Sequence, residues 1–225
     1  SNGDGTNRVS IPFINWFFQR APSFFDEVCY TGTGSATTFN HNLAAVPELM
    51  IVKSRSNPYV NWYVYASGPG ATKYLLLDST NSAGTFSAAW NNTAPTSSVF
   101  TVGGAGGTNG TGETFVAYLF ATCSGVSKVG SYTGTGTTQT INCGFAAGSR
   151  FVLIKRTDST GDWYVWDSAR GIVSGDDPYL LLNSTAAEVT NTDYVDTAAT
   201  GFEISSTAPS AINASGGTFI FLAIA

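Results

Sequence analysis

The chain is written twice, and any fold it adopts has to satisfy both copies. Tyr30-Thr31-Gly32-Thr33-Gly34 returns 102 residues later as Tyr132-Thr133-Gly134-Thr135-Gly136. At the same offset of 102, Phe39-Asn40 returns as Ile141-Asn142, and Leu49-Met50-Ile51-Val52-Lys53 as Phe151-Val152-Leu153-Ile154-Lys155. Asn61-Trp62-Tyr63-Val64-Tyr65 matches Asp162-Trp163-Tyr164-Val165-Trp166 at 101, and Leu75-Leu76-Leu77-Asp78-Ser79-Thr80 matches Leu180-Leu181-Leu182-Asn183-Ser184-Thr185 at 105. Asn109-Gly110-Thr111-Gly112-Glu113-Thr114-Phe115-Val116 aligns without a gap to Asn213-Ala214-Ser215-Gly216-Gly217-Thr218-Phe219-Ile220 at 104. The changes of offset fall between blocks, where turns absorb insertions. Two units result, residues 28–122 and 129–225, joined by residues 123–128. Trp16-Phe17-Phe18 stands before Tyr30 as Tyr118-Leu119-Phe120 stands before Tyr132. Residues 1–27 are therefore expected to be the end of a preceding repeat, in a native chain longer than this one.

Within each unit, short apolar or alternating runs are separated by Gly, Asn, Ser and Pro, which is the pattern of strands and turns. The predicted strands of the first unit are 48–53, 62–65, 73–77, 99–102 and 114–120, and those of the second are 151–156, 163–167, 179–182, 202–205 and 218–225. No segment sustains a 3.6-residue period with cap signals, so helices should be few or none. The fold class expected is all-β, two tandem β-sandwich repeats of jelly-roll-like type, each with one core. Side chains alternate along a strand, so Trp62 and Val64 face that core if Tyr63 and Tyr65 face outward.

Composition removes several function classes. With ten Lys and Arg scattered through a chain of net charge -5, no basic surface is available for phosphate neutralisation, so nucleic acid is not an expected partner. No apolar stretch reaches the ~20 residues that span a bilayer, so no membrane insertion is expected. Cys29, Cys123 and Cys143 are an odd set without C-x-x-C spacing, which fits neither a disulfide framework nor a zinc site.

Catalytic chemistry finds little footing. The one histidine, His41, has Cys143 as its counterpart and reads as a polar turn residue. No G-x-S-x-G, H-E-x-x-H or G-x-x-x-x-G-K-[ST] motif occurs, and Gly103-Gly104-Ala105-Gly106-Gly107 lacks the spacing of a dinucleotide loop. Asp158, Asp162, Asp167, Asp176 and Asp177 form the one acidic concentration, confined to the second unit. It offers a polysaccharide hydrolase its two carboxylates, or calcium its oxygens, though the EF-hand spacing is missing. The expectation is no catalytic residue, no metal site and no cofactor. Loop aromatics beside amides and hydroxyls, namely Tyr59, Trp90 and Tyr194, are the candidate binding residues, suited to stacking on sugar rings.

As an ordered set, Y-T-G-T-G, the strand from Pro47 to Lys53, N-W-Y-V, L-L-L-[DN]-S-T, N-x-[TS]-G-x-T-F and the joint from Gly125 to Tyr132 resemble a repeated domain. That domain belongs to tail-fibre and other virion proteins of tailed bacteriophages. The resemblance runs from about Trp16 onward; the second unit departs from it at Ala146-Ala147-Gly148, where the first has Val46-Pro47-Glu48. It implies a non-enzymatic virion protein of tail-fibre type that presents loops to a host surface glycan or builds a fibre. Its partners would be further copies of itself, as a homotrimer, and other virion proteins. Two alternatives stand beside it: a secreted carbohydrate-binding module of cellular origin, and a polysaccharide hydrolase.

Overall fold

A computed structural model of the chain describes residues 13–225. In the first unit, β1 (Phe25–Thr31), β2 (Thr37–Asn40), β3 (Leu49–Ser54), β4 (Tyr63–Ala66), β5 (Lys73–Leu76) and β6 (Gly84–Thr85) precede a one-turn helix α1 (Ser87–Trp90). Then come β7 (Val99–Val102), a second single turn α2 (Gly106–Asn109) and β8 (Thr114–Phe120). The second unit contributes β9 (Ser127–Thr133), β10 (Gln139–Asn142), β11 (Phe151–Arg156), β12 (Trp163–Asp167), β13 (Leu180–Leu181), β14 (Val195–Ala198), β15 (Gly201–Ile204), α3 (Ser210–Asn213) and β16 (Thr218–Ile224).

The units are two tandem antiparallel sandwiches that share seven strands in one arrangement and differ by β6 in the first and β14 in the second. A large sheet ordered β1-β8-β3-β4-β5-β6 faces the pair β2-β7; a large sheet ordered β9-β16-β11-β12-β13 faces β10-β15-β14. Equivalent registers repeat, with Tyr30 opposite Phe115 and Tyr132 opposite Phe219, and Phe39 opposite Phe100 and Ile141 opposite Phe202. The predicted strands are present within a residue or two of their expected ends. Those that apolar runs do not announce are β1, β2, β6, β9, β10 and β14; T-T-F-N and Q-T-I-N carry a single large apolar residue each and are half exposed. Ser127 and Lys128, expected in the linker, already belong to β9.

Each sandwich has its own core, the first around Phe100, Phe115 and Trp90, the second around Phe202, Phe219 and Trp166. A third core was not expected. Phe25, Leu49, Val64, Leu75 and Phe120 of the first large sheet close on Leu153, Trp163, Val165, Ile220 and Leu222 of the second. Period-two alternation explains it: in β8, Phe115, Ala117 and Leu119 point into the unit's own core while Phe120 points to the other unit. In β16, Phe219, Phe221 and Ala223 point inward while Ile220 and Leu222 face the interface. Both large sheets are thus covered on both faces, which is why β8 and β16 read as unbroken apolar runs.

That corrects the orientation expected for the W-Y-V block. Tyr65 packs in the unit's own core with Tyr63 beside it, and Val64 is buried between the units. Trp163 is buried at the interface and its Nε1 donates to the Leu76 carbonyl at 2.8 Å. Around it the first unit's 76–83 segment docks by Gly161 N to Thr80 O (2.9 Å), Ala83 N to Thr157 O (2.9 Å) and Lys155 Nζ to Thr80 O (3.1 Å).

Of the N-terminal segment, residues 1–12 lie outside the described residues, and 13–20 join no ladder. Phe18 instead meets the rings of Phe25, Phe120 and Phe151 at 5.4–6.2 Å, and Trp16 donates its Nε1 to Asp167 Oδ2 at 3.0 Å. The joints into the two units are nevertheless alike. Ala21 bridges Phe25 as Cys123 bridges Ser127, with Ser23 and Gly125 both left-handed at φ 62° and 74°. Arg20 donates to Glu27 O where Thr122 donates to Val129 O.

Candidate functional site

The motifs used twice meet in space and are absorbed by the frame. The Tyr30 hydroxyl donates to Thr108 O at 2.5 Å and that of Tyr132 to Ile212 O at 2.7 Å; burial raises both well above the ordinary tyrosine range. Asn109, fully buried, accepts from Thr33 N (2.8 Å) and donates to Ser35 O (2.6 Å) and Gly103 O (2.7 Å). Asn213 repeats this with Thr135 N (3.2 Å), Thr137 O (3.0 Å) and Ser205 O (3.2 Å). Tyr, Asn and the Y-T-G-T-G loop therefore form one clamp in each unit. Gly32 is required there because a Cβ would lie 2.2 Å from Gly110 O, and Gly134 because one would lie 2.3 Å from Ala214 O. Asp78 and Asn183 accept the Trp62 and Trp163 amides at 3.3 and 2.8 Å. Lys53 secures its neighbouring loop through Val60 O at 2.5 Å, whereas Lys155 is buried on Gly161 O (2.6 Å) and Thr80 O, and desolvation lowers its pKa to about 8.

The three candidate binding aromatics do not share a surface. Tyr59 is 93% exposed at the tip of the 55–62 loop, its amide donating to Asn57 Oδ1 at 3.1 Å. Trp90 is 0% exposed, set edge-on against Tyr65 at 6.0 Å in the first core, so it has no face to offer a sugar. The short helix α1, unannounced by any periodicity, turns it inward. Tyr194 is half-buried and stacks on Tyr179 at 5.7 Å against the second core. His41 is buried in a turn: its Nδ1 accepts from Leu43 N at 3.3 Å and its Nε2 faces Thr96 O at 3.1 Å, which places the proton on Nε2. The thiols stay free, and burial pushes that of Cys143 up to about 12.

The five aspartates grouped by sequence separate in the fold. Asp158 pairs with Arg156 at 3.0 Å, and that hydrogen-bonded partner draws its pKa down to about 2. Asp162 accepts from Asn183 at 2.7 Å, and Asp167 pairs with Arg170 at 2.9 Å while taking the Trp16 indole. Asp177, with exposed Asp176 next to it, goes elsewhere. It meets Asp193 and Asp196, with one oxygen from each residue all within 4.8 Å of one another. Asp177 is 0% exposed; its Oδ1 accepts from Val173 N at 2.7 Å and its Oδ2 has no protein partner. Asp196 Oδ1 accepts from Gly175 N at 3.1 Å, and Asp193 Oδ1 and the Thr192 hydroxyl are buried without partners.

Among the described residues, no Lys or Arg pairs with any of the three. Burial, with Asp196, Asp193 and Asp176 adding repulsion, raises the Asp177 pKa to about 7, and Asp196 is raised by burial and by Asp193 and Glu203. At an effective dielectric near 20, two like charges at about 5 Å cost roughly 3 kcal/mol. The three carboxylates are held within that distance of one another. They form an all-oxygen donor set. Asp193 and Asp196 were missed in the sequence because only tertiary contacts between the Asp177 loop and residues 192–196, Asp177 N to Thr192 O at 2.8 Å and Gly175 N to Asp196 Oδ1, bring them together.

A family model described as a domain of unknown function (DUF7483) matches residues 19–225, both units together. No curated protein and no solved structure matches the chain.

Proposed function

The chain belongs to the DUF7483 family, and we propose that it is a non-catalytic structural module of a virion, of tail-fibre type, building part of a fibre and presenting loops for host attachment. One observation carries this reading. The residues written twice are spent on the two clamps, the ladders and the cores, and the joint by which the chain enters the first unit is repeated where it enters the second. A frame and a repeated joint are what a linear assembly needs. The bacteriophage assignment rests on the motif resemblance. The presented groups are those held away from the frame, Tyr59 at its loop tip above all.

A groove of about 680 Å³ between the units adds a polar surface, lined by Lys73, Ser131, Thr133, Thr157 and Asp158. It holds a single carboxylate, already tied to Arg156, which suits recognition of hydroxyls better than hydrolysis. Light scattering on the full chain, together with a glycan array read for both binding and product release, tests the proposal. A closed homotrimer with no released sugar is the expected result. A stable monomer that binds soluble glycans would favour a secreted carbohydrate-binding module, and released oligosaccharide would establish a hydrolase.

A further inference from the structure

We propose that the second unit holds a calcium ion on Asp177, Asp193 and Asp196. Three observations converge on it. The three carboxylates place one oxygen each within 4.8 Å of one another, a spread that fits around an ion whose ligands stand about 2.3–2.6 Å from it. Asp177 is wholly buried with Oδ2 unpartnered, and leaving a buried carboxylate oxygen without a partner is costly. Finally, the protein holds the acids in place, and among the described residues no Lys or Arg pairs with them. Val173 N fixes one oxygen of Asp177 and Gly175 N one oxygen of Asp196. The neighbouring charged groups Asp176 and Glu203 are themselves acids, Glu203 lying opposite Asp196 in the β14–β15 ladder.

The donor chemistry selects the ion. Oxygen ligands without imidazole or thiolate suit a hard cation and not zinc. The ligands come from an irregular loop and from the start of a short strand, and Asp193 Oδ1 and the Thr192 hydroxyl remain available. Such a set matches the flexible six- to eight-oxygen shell of calcium better than the rigid octahedron of magnesium. Bound there, the ion would tie the 171–177 loop to β14 and stiffen one end of the second sandwich. The first unit has no counterpart, since Thr72 stands where Asp177 stands and α1 occupies the place of the strand. This inference is independent of the fibre assignment.

The test is thermal unfolding of the full chain at pH 7.5 after dialysis against EGTA, with and without calcium chloride, paired with terbium(III) luminescence excited through the tyrosines. Calcium at about fifty times Kd should raise Tm by roughly 4–8 °C, with magnesium chloride giving less. Terbium emission should appear and be displaced by calcium. Asp177→Asn should abolish both responses, and so should the double variant Asp193→Asn/Asp196→Asn, which serves if the first does not fold. Asp158→Asn should keep them. No Tm response at 10 mM calcium, or a response that survives in a folded variant of the cluster, would overturn the assignment.

Discussion

Residues 84–98 and 189–200 fill the same gap in the two sandwiches, and they fill it in opposite ways. In the first unit α1 drives Trp90 into the core, and the chain then crosses to β7 as a loop. In the second the chain forms β14, adds it beside β15, and carries Asp193 and Asp196 to meet Asp177. The β-bridge that opens each region is shared, Tyr74 with Gly84 and Tyr179 with Val189. The stretch after that bridge varies because the two units share no pairing strand there: the first makes α1 where the second makes β14. The frame accepts a hydrophobic plug in one copy and a charged cluster in the other, so new properties enter where the two copies differ.

The largest test of this contrast is paired truncation. Trp90→Ala should cost about 3–5 kcal/mol in urea unfolding, because it empties the centre of a packed core, whereas Tyr194→Ala should cost about 1 kcal/mol. Equal losses would mean that the two regions bear the same load. Trp163→Ala should approach the Trp90 value, since its ring is buried between the units, while half-buried Trp62 should lose about 1 kcal/mol. The shared third core also predicts a single unfolding transition for both units, checked by monitoring unfolding with two probes. The clamps should be equivalent: Asn109→Ala and Asn213→Ala should each cost about 2–3 kcal/mol, because each leaves buried amides and carbonyls unpaired.

A pH series sharpens the comparison of the two lysines. The folded-state pKa of Lys155 lies at about 8, below the ~10.4 of an unfolded lysine. Its buried charge therefore costs stability fully below pH 8, and the cost is relieved as pH rises from there towards ~10.4, where the unfolded chain binds more protons. Relative to Lys155→Met, the parent chain should gain stability between pH 8 and 9.5; a constant difference would refute that. The smallest expected effect is Tyr59→Ala, within about 0.5 kcal/mol of the parent, with any loss confined to surface binding.

Much of the frame was legible. β3, β7, β8 and β11 stand where apolar runs placed them because a strand buried on one or both faces needs such a run. β2 and β10 were hidden because they are half exposed, and a single Phe or Ile among polar residues looks like a loop. Of the site, sequence pointed to the acid-rich stretch near Asp177 but grouped it with the wrong partners. Asp158 and Asp167 are neighbours of Asp177 in sequence, yet each is matched by an arginine of its own.

What the amino-acid order alone determined is the duplication, the all-β class and the two-sheet unit, because hydrophobic period and turn chemistry are local properties that each copy states independently. What only the tertiary structure decided is which faces meet. Alternation shows that a strand has two faces, but whether the second meets water or, as for Val64, another sheet depends on what packs there. The same holds for Trp90, drawn inside by a turn of helix, and for Asp177, Asp193 and Asp196. They converge only once the Asp177 loop docks on residues 192–196, through Asp177 N to Thr192 O and Gly175 N to Asp196 Oδ1, and such contacts join segments that carry no mark of each other.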